Sequence, residues 1–198
     1  MTHYSISFKP IITSLLLMLI ILDANAEFDV SDTELAMLPP YCAARYGKTS
    51  PEQAALWQRR IGKNWIHMHH YCHGLRALNN SMLSTDKNKR TEHLNRALNQ
   101  FDYVLEHGSK RFPLLPELHA KKGEAYVRLN QTGQAVKEYN TAISINPKYT
   151  KAYAGLSNLY RKQNQKQEAI TILKKGLKYN PNSKVLKLRL QKLTQEQQ

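Results

Sequence analysis

Acidic residues are scarce in this sequence. Fifteen Asp plus Glu stand against 29 Lys plus Arg in 198 residues, leaving a formal charge of +14 and a pI near 9.8. A partner recognised by charge is therefore acidic rather than basic. Cysteine is as sparse, with Cys42 and Cys72 alone, too few for the disulfide-dense class of small scaffolds. Eight Gly and eight Pro exclude a collagen-like chain, and 41% hydrophobic residues exclude wholesale disorder. The sequence has no Gly-rich phosphate loop, serine elbow, His-Glu-x-x-His, Cys-x-x-Cys or coherent pair of carboxylates. Neither catalysis nor a cofactor is expected, and the length suits one folded unit.

What is present begins with an address. Residues 1–10 are polar with one cation, Lys9; Ile11 to Leu22 form an apolar stretch broken only by Thr13 and Ser14; Ala24-Asn25-Ala26 follows. A charged start, a short apolar core and a small-x-small triplet describe a secretory signal peptide over residues 1–26, with cleavage expected between Ala26 and Glu27. The run is shorter than the roughly 20 residues that cross a bilayer, and Asp23 would sit badly in lipid, so no spanning anchor is expected. No twin Arg precedes the run and no Cys follows it closely, which excludes a twin-arginine route and a lipoprotein anchor. Removing residues 1–26 takes away Lys9 and Asp23, one charge of each sign, so the +14 belongs to the remainder. A periplasmic or secreted location turns that charge away from nucleic acid. Anionic envelope polymers, acidic headgroups at the envelope surface and acidic proteins remain, beside the plainer role of keeping the chain soluble.

The C-terminal half repeats itself. Gly123, Tyr126, Ala135, Tyr139, Ala142 and Pro147 fall 34 residues before Ser157, Tyr160, Ala169, Leu173, Gly176 and Pro181. Fixed-period recurrence of small residues and aromatics is the mark of stacked helical hairpins, in which the small residue lets two helices approach and the aromatic fills the space beside them. Tyr153-x2-Leu156-Ser157-x2-Tyr160, then Ala169-x3-Leu173 and Pro181, resembles the tetratricopeptide repeat. In the preceding copy His119 and Lys122 replace the large aromatic and the Leu of the pattern, so packing there is expected to be looser or filled from elsewhere. A degenerate copy upstream is marked by Gly74 and by Ala97-x3-Phe101, with an eleven-residue insertion expected to loop out over residues 79–90.

The resemblance implies an all-α tetratricopeptide-like solenoid of about three helix pairs, with extra N-terminal helices and a C-terminal cap helix. The expected division is 27–63 as lead-in and helix, then a repeat domain over 64–198. Within it, 64–115 is the degenerate repeat, 116–149 and 150–181 are regular repeats, and 182–198 is the cap. Ser50 with Pro51 starts a helix through Trp57 to about Ile61, Asn64 caps the next, Asn182 or Ser183 opens the last, and residues 27–40 form a loosely ordered lead-in. Trp57 and Trp65 are expected to pack under the first repeat.

The densest chemical cluster runs from Trp65 to His73. His69 and His73 are spaced i, i+4; His67 with His70, and His70 with His73, are spaced i, i+3, so imidazoles share a helix face. That spacing allows a transition metal or haem on His67, His69, His70 and His73, with Cys72 and Met68 as soft donors. The plainer reading makes them hydrogen-bonded imidazoles in a half-polar core. Cys42 and Cys72 suggest one disulfide in a secreted chain, the alternative being two buried thiols. Cys72 and His73, being consecutive, diverge by about 100° on a helix and do not make a nucleophile and base.

In the tetratricopeptide family the first helix of each repeat lines a concave groove. Carried onto this chain, the groove-facing positions are Glu117, Ala120, Glu124, Val127 and Arg128, then Lys151, Ala154, Asn158, Arg161 and Lys162. The second set is basic and suits an acidic segment or a terminal carboxylate. The resemblance therefore implies a non-catalytic adaptor that binds a protein or peptide. A metal- or haem-handling protein and a cell-wall-associated enzyme or activator are the alternatives.

Overall fold

Helix boundaries follow local capping chemistry. In the computed structural model, which describes residues 30–195, Ser31 opens α1 (Asp32–Ala36) with a capping box. Its Oγ accepts the Glu34 amide and the Glu34 carboxylate accepts the Ser31 amide. Pro40 starts α2 (Pro40–Arg45), and Ser50 caps α3 (Pro51–Ile61) by accepting the Gln53 amide. A 3₁₀ turn, Gly62–His67, leads into α4 (Met68–Leu83). Then come α5 (Lys87–His107), α6 (Leu115–Arg128), α7 (Thr132–Ile145), α8 (Thr150–Lys162), α9 (Lys166–Tyr179) and α10 (Lys184–Gln195). Among the described residues there is no strand, and no helix is long and apolar enough to cross a membrane. The segment assigned to a signal peptide lies outside the described residues.

The helices pair as α4 with α5, α6 with α7 and α8 with α9, and α10 covers the last pair. The fold is the all-α tetratricopeptide-like solenoid that the repeat implied. Its period also sets the turns: Asn130 and Asn164, 34 residues apart, both end their helices at φ 59°. In each case the amide of the next residue returns to a carbonyl five residues back, Gln131 to Tyr126 and Gln165 to Tyr160, both at 2.9 Å. That is the Schellman closure, with Asn tolerated in the left-handed position.

Glycines set the close approaches. A Cβ on Gly74 would lie 2.5 Å from the Phe101 ring, and one on Gly155 would lie 2.5 Å from the Tyr139 ring, which also rests on Gly123. Tyr139 thus sits in a notch shared by α6 and α8. Ala135, Ala142, Ala152 and Ala169 are fully buried around these contacts. Two cores result, one built from the N-terminal segment with α4, α5 and part of α6, the other from Ala120 of α6 with α7 to α10.

Four expectations need correction. The extra residues between Gly74 and Ala97 do not loop out, since only Ser84 to Asp86 separate α4 from α5 and the insertion lengthens both helices. Asp86 makes this possible by accepting the amides of Asn88 and Lys89, so a polar run of good helix formers starts a helix without any apolar period. The lead-in is folded from Val30 onward, because Val30 and Leu38 are buried in the first core on either side of α1. Asn64 caps no helix; it is buried, and its Oδ1 accepts the Ser109 amide at 2.7 Å. At His119 and Lys122 the packing is not loose but polar. His119 Nδ1 meets Glu138 Oε2 at 2.6 Å, and Lys122 Nζ reaches Asp102 at 2.5 Å and Glu138 at 3.1 Å. Trp57 and Trp65 are half-buried against the first core, and Ser183 caps α10.

Cys42 and Cys72 are joined in a disulfide across 30 residues, and both are completely buried. Closing a loop of this size stabilises by about 3–4 kcal/mol on the chain-entropy view. The bond fixes α2 against α4, and Tyr41 beside it stacks on Tyr71 and meets Trp57 edge-on.

Candidate functional site

The first helices of successive repeats, α6 and α8, present their adjoining faces to one groove of about 300 Å³. Its α6 wall is Ala120, Lys121, Glu124, Val127 and Arg128, and its α8 wall is Lys151, Gly155, Asn158, Leu159 and Lys162, with Tyr139 and Tyr149 beneath and at the end. This spacing is helical, i, i+1, i+4, i+7 and i+8 on α6 and i, i+4, i+7, i+8 and i+11 on α8, so a single stripe of each helix meets the groove. The six residues singled out from the sequence divide here. Glu124, Arg128, Lys151, Asn158 and Lys162 come together in this groove. Arg161 lies instead in a neighbouring cleft of about 120 Å³ with Ser157, Arg189, Lys192 and Leu193, which it shares with Asn158. Ala120 and Val127 line the groove, whereas Ala154 is buried in the second core.

Charge in the groove is uneven. Glu124 is held by Arg128 and by Lys121 at 3.0 Å. Arg128 has further duties, donating to the Leu78 carbonyl at 3.1 Å and to Ser81 Oγ at 3.0 Å on α4. It therefore ties the second repeat to the first and is not spare for a ligand. Lys151 and Lys162, by contrast, are exposed and make no ion pair with any described residue. Asn158 accepts from Arg189 Nη1 through its Oδ1 at 2.5 Å, which leaves its amide NH₂ to donate. Burial, together with the carboxylates of Glu117 and Glu124, pushes the Tyr149 phenol well above its ordinary range, so the hydroxyl stays protonated and is also a donor. The α8 side of the groove thus offers two cations and two neutral donors.

Glu117, expected in the groove, is taken up elsewhere. Tyr41 of α2 donates to its Oε1 at 2.7 Å. The contact spans 76 residues, and no local pattern announces it. Sequence reasoning also missed Tyr149, Gly155 and Arg189. Gly155 had a signal, since it precedes Ser157 in the repeat, but its need shows only when the Tyr139 ring is placed against it.

The histidine segment is a packed set of rings. His70 lies on Tyr103 with centroids 3.6 Å apart, Tyr103 stacks on His107 at 4.1 Å, and His69 touches His70 at 4.0 Å. His70 Nδ1 donates to Gln100 Oε1 at 2.7 Å, and His69 Nδ1 donates to the Ile66 carbonyl at 2.9 Å. His67 sits 5.9 Å from Tyr103, and His73 stacks on Tyr46 at 5.8 Å. Burial, then neighbouring imidazoles, holds His67 and His69 below the usual imidazole range. Cys72 is spent in the disulfide, and among the described residues no three His, Cys, Asp or Glu side chains are placed to hold one metal ion. A polar cavity of about 250 Å³ beside this segment is lined by Arg76 and Arg96, but each already faces a glutamate, Glu34 and Glu92.

Residues 126–191 match the tetratricopeptide repeat family. No protein of curated function matches the chain by sequence. Similar solved structures include the first tetratricopeptide domain of Spaghetti (RPAP3) bound to the HSP90 peptide SRMEEVD, with 21% identity over 64% of this chain and 96% of that one, at a TM-score of 0.45. They also include the second such domain of human RPAP3 in complex with the HSP70 peptide SGPTIEEVD, with 19% identity over 65% of this chain and 98% of that one, at a TM-score of 0.46.

Proposed function

We propose that the chain, whose residues 126–191 match the tetratricopeptide repeat family, is a non-catalytic adaptor of the periplasm or the secreted medium that captures an acidic protein segment in the groove between α6 and α8. The observation that carries this reading is the charge imbalance across that groove. Glu124 is neutralised within its own helix, while Lys151 and Lys162 face the opening without a carboxylate. Two lysines spaced eleven residues apart stand about 16 Å apart along α8 at 1.5 Å per residue, so they suit an extended segment with two anionic points better than one small ion. Asn158 and Tyr149 donate between and beside them, fixing the backbone of the bound segment by neutral hydrogen bonds.

A labelled peptide of alternating Glu and Ala with a free C-terminal carboxylate tests the groove by fluorescence anisotropy. Binding is expected to weaken by about tenfold or more for Lys151→Glu/Lys162→Glu and to weaken with added salt. Equal binding of the Gln counterpart peptide, or no loss in the double variant, refutes the reading. Both lysines are exposed, so folding is not at stake. For the location, N-terminal sequencing of the exported chain is expected to begin at Glu27.

A further inference from the structure

The last helix, α10, has two unlike sides. Leu186 and Leu193 are buried against the array, and Leu190 is half-buried. The opposite side carries Lys184, Val185 and Leu188, with Lys192 at its margin, where it also borders the cleft that holds Arg161; all four are exposed, Val185 at 53% and Leu188 at 65%. At 100° per residue these four fall within a sector of about 100° facing away from the buried leucines. No described residue covers this side. Next to it α9 ends at Tyr179, 47% exposed, and lines a shallow cleft with Lys174, Lys175 and Lys178. From Lys166 to Gln198 the sequence has eight Lys or Arg and only two acidic residues, Glu168 and Glu196, so +6 of the chain's +14 gathers at this end.

Charge decides what such a face can meet. A second copy would bring a field of the same sign within the Debye length of about 8 Å, which opposes self-stacking. A soluble polyanion would engage the lysines but has no use for an exposed Val and Leu. An anionic bilayer uses both, because headgroups meet the lysines while the apolar pair enters the acyl boundary, and two weak signals together give stable attachment where one does not. The cations here are lysines spread over two helices; the one arginine, Arg189, is bonded to Asn158. Dispersed ammonium groups respond to charge density rather than to one ligand shape, as a lipid surface requires.

We propose that the outer face of α10, with Val185 and Leu188 between Lys184 and Lys192, docks this protein on an anionic phospholipid surface. None of these four residues lines the groove between α6 and α8; Lys192 borders only the neighbouring cleft that holds Arg161. The test uses the chain from Glu27 onward, which keeps every described helix and omits the apolar run at residues 11–22. Vesicles of phosphatidylglycerol with phosphatidylcholine, and of phosphatidylcholine alone, are pelleted with it at moderate salt. The protein is expected to partition at least about tenfold more strongly to the anionic vesicles. Lys184→Glu/Lys192→Glu is expected to lose about 30-fold of that binding. Val185→Ser/Leu188→Ser is expected to lose about fivefold while binding to heparin stays unchanged. All four side chains are exposed, and an unchanged circular dichroism spectrum and Tm would show that the variants fold. Equal partition to the two vesicles overturns the proposal. Undiminished vesicle binding of the Ser variant overturns it too, and assigns the face to soluble polyanions. Capture of the acidic peptide by that Ser variant is expected to match the parent, so failure of the docking face and failure of the groove are told apart.

Discussion

Two halves of this molecule pack a ring against a glycine, yet they are secured differently. In the C-terminal half Tyr139 rests on Gly123 and Gly155 together, so one ring joins two repeats, and alanines fill the remaining close contacts. In the N-terminal half Phe101 rests on Gly74 alone. Its other supports are a buried disulfide, the Tyr41, Tyr71 and Trp57 rings, and a segment that precedes the repeats. A regular array stabilises each unit through its neighbour. The first unit lacks a described neighbour on one side, and α1 to α3 with the Cys42–Cys72 bond take that place.

The largest effect that would break this contrast is removal of a keystone ring. Phe101→Ala is expected to cost about 3–5 kcal/mol by chemical denaturation, because the ring is fully buried and Gly74 cannot collapse into the void. Next, Cys42→Ala/Cys72→Ala is expected to cost about 3–4 kcal/mol. Hydrogen exchange should place that loss in α2 to α4 and leave α8 to α10 protected; uniform loss would show that the halves are one cooperative unit. Lys122→Met, which leaves the Glu138 carboxylate in its nine-tenths buried site with His119 as its remaining partner, is expected to cost about 3 kcal/mol. The triple change His119→Phe/Lys122→Leu/Glu138→Leu restores the repeat pattern and is expected to recover most of that loss. If it does not, the polar cluster contributes more than its pattern residues would.

Acid should separate the halves in order. His67 and His69 are held below the ordinary imidazole range, first by burial and then by neighbouring imidazoles, so the unfolded chain takes up their protons first. The stability they contribute is present above about pH 6.5 and is lost as pH falls through their lower folded values. Glu138 is held below the ordinary carboxylate range because the His119 and Lys122 bonds outweigh its burial, the largest single influence, which acts the other way. Its contribution is present above about pH 4.5 and is lost as pH falls through its lower folded value. Ring signals of the N-terminal half are therefore expected to change in NMR titration as pH falls below about 6.5, before those of Tyr139. The smallest effect is at Glu92 and Arg96, an exposed i, i+4 pair whose removal should change stability by under about 0.5 kcal/mol.

Much of the C-terminal half was legible because its contacts are local and periodic. Alanine, glycine and tyrosine recur every 34 residues, and one interface reports on the next. Even so, the left-handed Asn130 and Asn164 escaped notice, though they share that period. The N-terminal half was harder for a physical reason. Residues 79–90 lack an apolar stripe, yet helices there need only the Asp86 cap and good propensity, since the hairpin around Leu78 and Leu94 already holds them. Of the distant α2 contacts, the Cys42–Cys72 bond was readable from there being two cysteines in the chain, whereas no pattern encodes Tyr41 to Glu117. In the groove, the positions that the family resemblance implied include seven of the residues that meet, Ala120, Glu124, Val127, Arg128, Lys151, Asn158 and Lys162. The resemblance could not foresee that Arg128 would be claimed by Leu78 and Ser81.

Tyr139 has a double position, at once the wedge between α6 and α8 and the floor on which a bound segment would rest. Whatever fills the trough therefore presses on the joint itself. Occupancy should change the flexibility of the superhelix, so a ligand resting there would be felt by bending modes along the entire rod as well as at the residues it touches.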